Sequence, residues 1–157
     1  MDLFKFLLFL HVIAAIIAFG PGFASMVVGP MVAKEPQHAN FFARTQVATG
    51  TKIVTPLALS MAVTGIAMIL VRGWVNILGP NHWLEAGIVL YVIAIVYSFA
   101  VQAPAGRKLV DLTSTPPVPG SGPNPEIPKT AAKLRNGGMI LGLLVIAIVF
   151  LMVAKPF

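Results

Sequence analysis

Residues Phe6 to Ala33 read FLLFLHVIAAIIAFGPGFASMVVGPMVA, 28 residues that include one ionisable side chain, His11. At about 1.5 Å of rise per residue, that run is longer than a bilayer core of about 30 Å requires. Hydrocarbon offers no partner to backbone N–H and C=O groups, so a segment of this kind pairs them within itself and crosses as a helix. Counted from His11 in alternating steps of four and three, one face carries Ala15, Ala18, Gly22, Ser25 and Gly29. Small residues at that spacing let another helix backbone approach closely, which matters where the hydrophobic effect cannot hold helices together. The opposite side, with Phe6, Phe9, Leu10, Ile13, Ile16, Ile17 and Phe23, is expected to face lipid.

Three further apolar runs follow, at about 53–71, 82–103 and 137–154. Pro56 falls in the first turn of the second run, where a missing N–H is cheap. Pro56, Ser60, Thr64 and Ala67 continue the small-residue theme there, and Ser60 and Thr64 can bond the carbonyls of their own helix. The third run has Gly87, Tyr91, Ala94 and Ser98 on one face, with Tyr97 and Gln102 as polar groups needing partners inside a bundle. The last opens with Gly138 and Gly142 in GxxxG spacing, a signature of close helix contact. Trp74 and Trp83 stand where an aromatic belt belongs. In the first connection, Asn40 is placed to cap a short amphipathic helix. From Pro104 to Asn136 the proline content predicts a linker, extended beyond a helical turn at Arg107 to Asp111. The fold expected is all-α, a single membrane domain of four helices in a bundle.

An even number of crossings puts both termini on one side. Lys5, Arg72 and Lys155 fall on that side, and the other eight of the 11 basic residues fall opposite, Lys34, Arg44, Lys52, Arg107, Lys108, Lys129, Lys133 and Arg135. Cytoplasmic loops carry the excess of Lys and Arg, so both termini are expected outside and the proline-rich connection inside. The early apolar run is too long for a secretory signal and has no small-residue cleavage site before the next loop, so it is expected to be retained.

A formal charge of +6 raises the question of nucleic acid, but the basic residues are confined to the ends and connections of apolar segments. Anionic lipid headgroups are the expected partners, with Arg44, Arg107, Lys108, Lys133 and Arg135 making the contacts. The absence of cysteine excludes disulfides, thiolate nucleophiles and iron–sulfur ligation. There is no glycine-rich phosphate loop and no carboxylate at membrane depth, which weakens phosphoryl transfer and proton-driven transport.

His11 is the sharpest candidate site. An ionisable side chain inside a span is costly unless it is neutral and partnered. Three roles fit it: a hydrogen bond to a neighbouring helix, an axial bond to haem b, or a place on a proton path. His82, at the start of the third span, is the other histidine in the same leaflet and a weaker ligand candidate; Met61, Met68 and Met139 are further axial ligands to weigh. Glu85, three residues after His82, makes half a metal site at best.

The segments Lys5-Phe6-Leu7-Leu8-Phe9-Leu10-His11, Thr64-Gly65 and Leu151-Met152-Val153-Ala154-Lys155-Pro156 resemble those of the DUF2269 group of predicted bacterial integral membrane proteins. That resemblance implies a four-helix fold in the bacterial inner membrane and no defined activity. The layout is also similar to that of HemJ-type protoporphyrinogen oxidases, with His11 in the place of their haem-linked histidine and Arg44, Thr55-Pro56 and Trp83-Leu84 in similar order. Where that pattern has a lysine after Trp-Leu, this chain has Ala86 and Gly87. Two functions are therefore expected: a non-catalytic accessory subunit packing against other membrane subunits or its own copies, or a haem b protein built on His11.

Overall fold

The computed structural model describes residues 2–74, 82–114 and 124–156, and the described residues are almost entirely helical. α1 spans Leu3–Lys34, and Pro21 and Pro30 lie inside it. After a short 3₁₀ turn at Pro36–His38 come α2 (Ala39–Thr49) and α3 (Thr55–Arg72), then α4 (His82–Tyr97), α5 (Ala103–Ser114) and α6 (Glu126–Ala154). Among the described residues, four helical stretches are long and apolar enough to cross a membrane: Leu3–Lys34, Pro36–Arg72, His82–Ser114 and Glu126–Ala154.

Two of these stretches are longer than their apolar runs because prolines that ordinarily end a helix are absorbed. Gly50–Val54 between α2 and α3, and Ser98–Gln102 between α4 and α5, are π-helical turns. Pro56 follows the first by two residues and Pro104 follows the second by two. A proline has no N–H for the carbonyl four residues back and its ring crowds that carbonyl. Widening the preceding turn to the five-residue pattern relieves the clash without breaking the helix. Pro56 accordingly sits in the interior of a long helical stretch, and Pro104 begins no linker. The connection expected over 104–136 contracts, since α5 reaches Ser114 and α6 begins at Glu126 with Pro128 in its first turn. The remainder of that proline-rich stretch, 115–123, lies outside the described residues.

α1 packs on α3 and α4 on α6, while α6 also touches α1. α2 and α5 continue beyond the apolar runs and pack together, with the first turns of α6 against α5. Phe4 and Lys155 both lie against Trp74, so the two ends of the chain share one end of the bundle. The opposite end is a basic helical cap.

Small residues make up most of the buried positions among the described residues, led by Ala14 and Ala18 on α1, Ala43 on α2, Ala58 on α3 and Ala105 on α5. Large side chains such as Phe9, Ile16, Val63, Leu143 and Phe150 point outward. That inversion of a water-soluble core is what packing in hydrocarbon favours, because backbone proximity and van der Waals contact hold the helices. Among the described residues, the one cluster of bulky buried groups is at the terminal end, where Trp83, Leu84 and Leu151 meet Ile69, Trp74 and Met152. The chain turns into that end through Gly73, whose φ of 67° only a glycine adopts without strain. In this conformation the N–H of Trp74 reaches the carbonyl of Ile69 at 3.0 Å and closes the end of α3.

Candidate functional site

α1 and α3 run antiparallel, and one polar contact joins them inside the apolar zone: His11 Nδ1 lies 2.9 Å from Thr64 Oγ1. The Thr64 hydroxyl in turn is directed at the carbonyl of Ser60, 2.9 Å away, with that of Met61 at 3.2 Å. A hydroxyl has one proton and a carbonyl can only accept, so the hydroxyl gives its proton to its own helix and accepts from His11 Nδ1–H. The neutral imidazole is thereby set as one tautomer, with its lone pair on Nε2. Gly65 stands beside it; a Cβ at that position would lie 3.6 Å from His11 Cε1. An apolar groove of about 280 Å³ runs alongside, with Ala14, Leu57, Ser60 and Thr64 in its wall.

The bond yields a direct prediction. His11→Ala and Thr64→Val each weaken the bundle, and a double-mutant cycle between them gives a coupling of about 1 kcal/mol, the size measured for interhelical hydrogen bonds in membranes. Additive losses, read from unfolding in mixed micelles, would show that the two side chains do not interact.

His82 is elsewhere. Its ring, largely exposed at the terminal end, bonds Glu85 at 3.2 Å. The other carboxylate oxygen of Glu85 is enclosed without a hydrogen-bond partner. His11 and His82 thus have different hydrogen-bond partners, Thr64 and Glu85. Among the described residues there is no group of three or more His, Cys, Asp and Glu placed to hold a metal ion.

The small residues singled out by spacing have varied surroundings. Ala18 is 2% exposed, and Ala14 rather than Ala15 is the buried residue one turn before it. Gly22 and Gly29 have nothing within 4 Å of where a Cβ would stand. The face is thus buried at Ala18, bare at Gly22 and half-buried again at Ser25, which Gln46 of α2 reaches. Beyond Ala18 the neighbouring helix leaves its apolar run and becomes α2, which touches α1 lightly. Gly87 approaches the end of Met152, and Gly142 faces Met26. Gly87 is the tightest of the glycines; another close one was not singled out, Gly137, where a Cβ would stand 2.7 Å from Gln102 Nε2 and 2.9 Å from the Tyr97 hydroxyl. The signal for it was present in Tyr97 and Gln102, two polar groups in a span that need space and a partner, and Gln102 finds one in the carbonyl of Leu134 at 3.3 Å. Tyr91 likewise donates to the carbonyl of Ala58.

At the terminal end the rings of Trp74 and Trp83 meet edge to face at 5.8 Å, and Phe4 meets Trp74 at 6.3 Å. Lys155 Nζ lies 5.2 Å from the Trp83 ring centre, and the Arg72 guanidinium 4.1 Å from that of Phe4. Trp83 is therefore packed inside the bundle end as well as marking an interface. At the opposite end Asn40 bonds Val110 and Thr113 of α5 and caps nothing. Lys108 bonds Glu126 at 2.6 Å. That contact, with the charges of Lys108 and Lys129, holds the Glu126 carboxyl, far outside the apolar run of α6, below its ordinary range. Arg44, Arg107, Lys133 and Arg135 are exposed on this cap.

Four apolar helical stretches, internally bonded polar groups and aromatic residues stacked with cations at one end define a polytopic α-helical membrane protein. Residues 5–156 match the family model described as predicted integral membrane protein (DUF2269), and the chain belongs to that family. No curated protein and no solved structure matches it.

Proposed function

We propose that the protein is a non-catalytic accessory subunit of a larger complex in the bacterial cytoplasmic membrane, of the energy-converting kind, with both termini outside and the basic cap in the cytoplasm. The observation that supports this reading is the uncovered backbone of α1. Gly20, Gly22 and Gly29 have open space where a side chain would stand, beside Met26 and Val27, which are 48% and 67% exposed. Three polar side chains of the spans, by contrast, find partners within the chain: His11 with Thr64, Tyr91 with Ala58 and Gln102 with Leu134. Purification from native membranes in mild detergent is expected to bring a stoichiometric partner, and Gly22→Phe with Gly29→Phe to release it without lowering the melting temperature. A chain that runs alone in both forms contradicts the proposal.

A second reading rests on the His11–Thr64 bond. A histidine whose Nδ1 is engaged presents Nε2 as a ligand, the arrangement that orients imidazoles in metal sites. The donor atom suits the axial position of haem b, which would bring one-electron redox chemistry to the groove beside α1 and α3. His82, engaged with Glu85 at the bundle end, is poorly placed to supply the second axial bond. An absorption spectrum after haem-replete expression tests this: a Soret band that His11→Ala abolishes supports it, and no band, or a band unchanged in the variant, rejects it.

A further inference from the structure

The cap holds together through its own contacts. The Asn40 amide of α2 donates to the Val110 carbonyl at 3.2 Å and to the Thr113 hydroxyl at 3.1 Å, both on α5. Ala43 of α2 and Ala105 of α5 are buried, and the Lys108–Glu126 ion pair fastens α5 to the first turn of α6. To α1 the cap is joined, among the described residues, by one side-chain hydrogen bond, Gln46 to Ser25, in the wall of a groove of about 460 Å³ between α1 and α2.

Each helix that passes from the spans into this cap carries an irregularity. Between α2 and α3 the N–H of Thr55, just ahead of Pro56, bonds the Gly50 carbonyl five residues back. Between α4 and α5 the N–H of Ala103, just ahead of Pro104, bonds the Ser98 carbonyl in the same way. α6 has instead the pair Gly137-Gly138, and Gly137 stands directly against Gln102 of the second π-helical turn. Val54 lies 18 residues from Arg72, Ser98 16 from His82 and Gly138 16 from Ala154, so the three irregularities fall about 24–27 Å from the terminal end at about 1.5 Å per residue. π-helical turns, prolines and glycines are the places where helices bend. One of them alone is a local accommodation, but three at one depth, all leading into one self-contained body, have the layout of a hinge.

We propose that the cap, made of α2, α5 and the first turns of α6, rocks as one body on this layer relative to the spans and α1. The movement widens and narrows the groove between α1 and α2, where the cap is tied to α1 by the Gln46–Ser25 bond. It is independent of whether the protein is a subunit or a haem protein.

Double electron–electron resonance on the full chain in lipid nanodiscs tests it, with spin labels on introduced cysteines, since the chain has none of its own. Leu70→Cys with Arg44→Cys spans the layer, and Leu70→Cys with Leu143→Cys stays on the terminal side of it; all three positions are exposed. The distance across the layer is expected to be distributed at least about twofold more broadly than the control distance. Pro56→Ala with Pro104→Ala returns an N–H to each helical ladder and allows regular turns there, so the width across the layer is expected to fall to that of the control. A native distribution across the layer as narrow as the control overturns the proposal, as does a width that the two alanines leave unchanged. Should that variant fail to fold, Gly138→Ala decides. Its Cβ would lie 4.0 Å from Gln102 Nε2, an ordinary contact, and alanine stiffens α6 at the layer. A narrower distribution is expected from it, and the native width overturns the proposal.

Discussion

Trp83→Ala is expected to lower the stability of the bundle by about 3–5 kcal/mol, the range for emptying an aromatic site in a packed interior. Trp83 is 7% exposed and belongs to the one cluster of large buried side chains, with Leu84 and Leu151. Its loss removes three things at once: the volume between α4 and α6, the edge-to-face contact with Trp74, and the ring beneath the Lys155 ammonium. The last two each contribute about 0.5–1.5 kcal/mol beyond packing. Trp83→Phe keeps a ring in the cluster and should recover more than half of the loss. Thermal unfolding in detergent gives the comparison, and a Trp83→Ala protein melting within a degree or two of the native one would show that the terminal end is not the anchor described here.

The second large effect is at Gly137. A Cβ there would stand 2.7 Å from Gln102 Nε2 and 2.9 Å from the Tyr97 hydroxyl, closer than a real side chain permits, and 3.0 Å from Gln102 Cδ. Alanine forces the Gln102 amide away from the Leu134 carbonyl, which costs roughly 1 kcal/mol. Valine adds overpacking between α6 and the π-helical turn, and about 3 kcal/mol in all is expected. Gln102→Ala opens the space, so Gly137→Ala added to Gln102→Ala should cost almost nothing further. Gly22→Ala is the matching control. Its Cβ meets nothing, and the better helix propensity of alanine makes the change neutral or slightly stabilising. Equal effects at Gly22 and Gly137 would mean that the contact with Gln102 and Tyr97 plays no part at Gly137.

These two sites mark where the sequence was and was not legible. Length and hydropathy alone set the four crossings, because hydrocarbon allows a backbone so few solutions. The depth of His11 followed from the same argument, and so did its need for a partner. The partner did not, since Thr64 was visible only as a helix-bonding threonine. Its hydroxyl serves both purposes, receiving from His11 and donating to Ser60. Small residues on a helix show that close approach is allowed, while the positions of neighbouring helices decide where it occurs. Hence Ala14 and Ala18 are buried while Gly22 is bare. Prolines misled most. Pro56 does hold the expected first-turn place in α3 and Pro104 has the composition of a linker start, yet each is preceded by a π-helical turn that lets the helix continue into the cap. Nothing local in the sequence distinguishes that outcome from a break; it depends on α2 and α5 having each other to pack against.

The central claim is four crossings that place both chain ends on one side and the cap on the other. The chain has no cysteine, so single cysteines can be introduced without background. Asp2→Cys and Pro156→Cys report the terminal end, and Gln37→Cys and Ser114→Cys report the cap, all at exposed positions. In intact cells a membrane-impermeant maleimide is predicted to label the first pair and to reach the second only after permeabilisation. Labelling of Asp2→Cys and Pro156→Cys from opposite sides, or of Asp2→Cys and Ser114→Cys from the same side, would contradict the account.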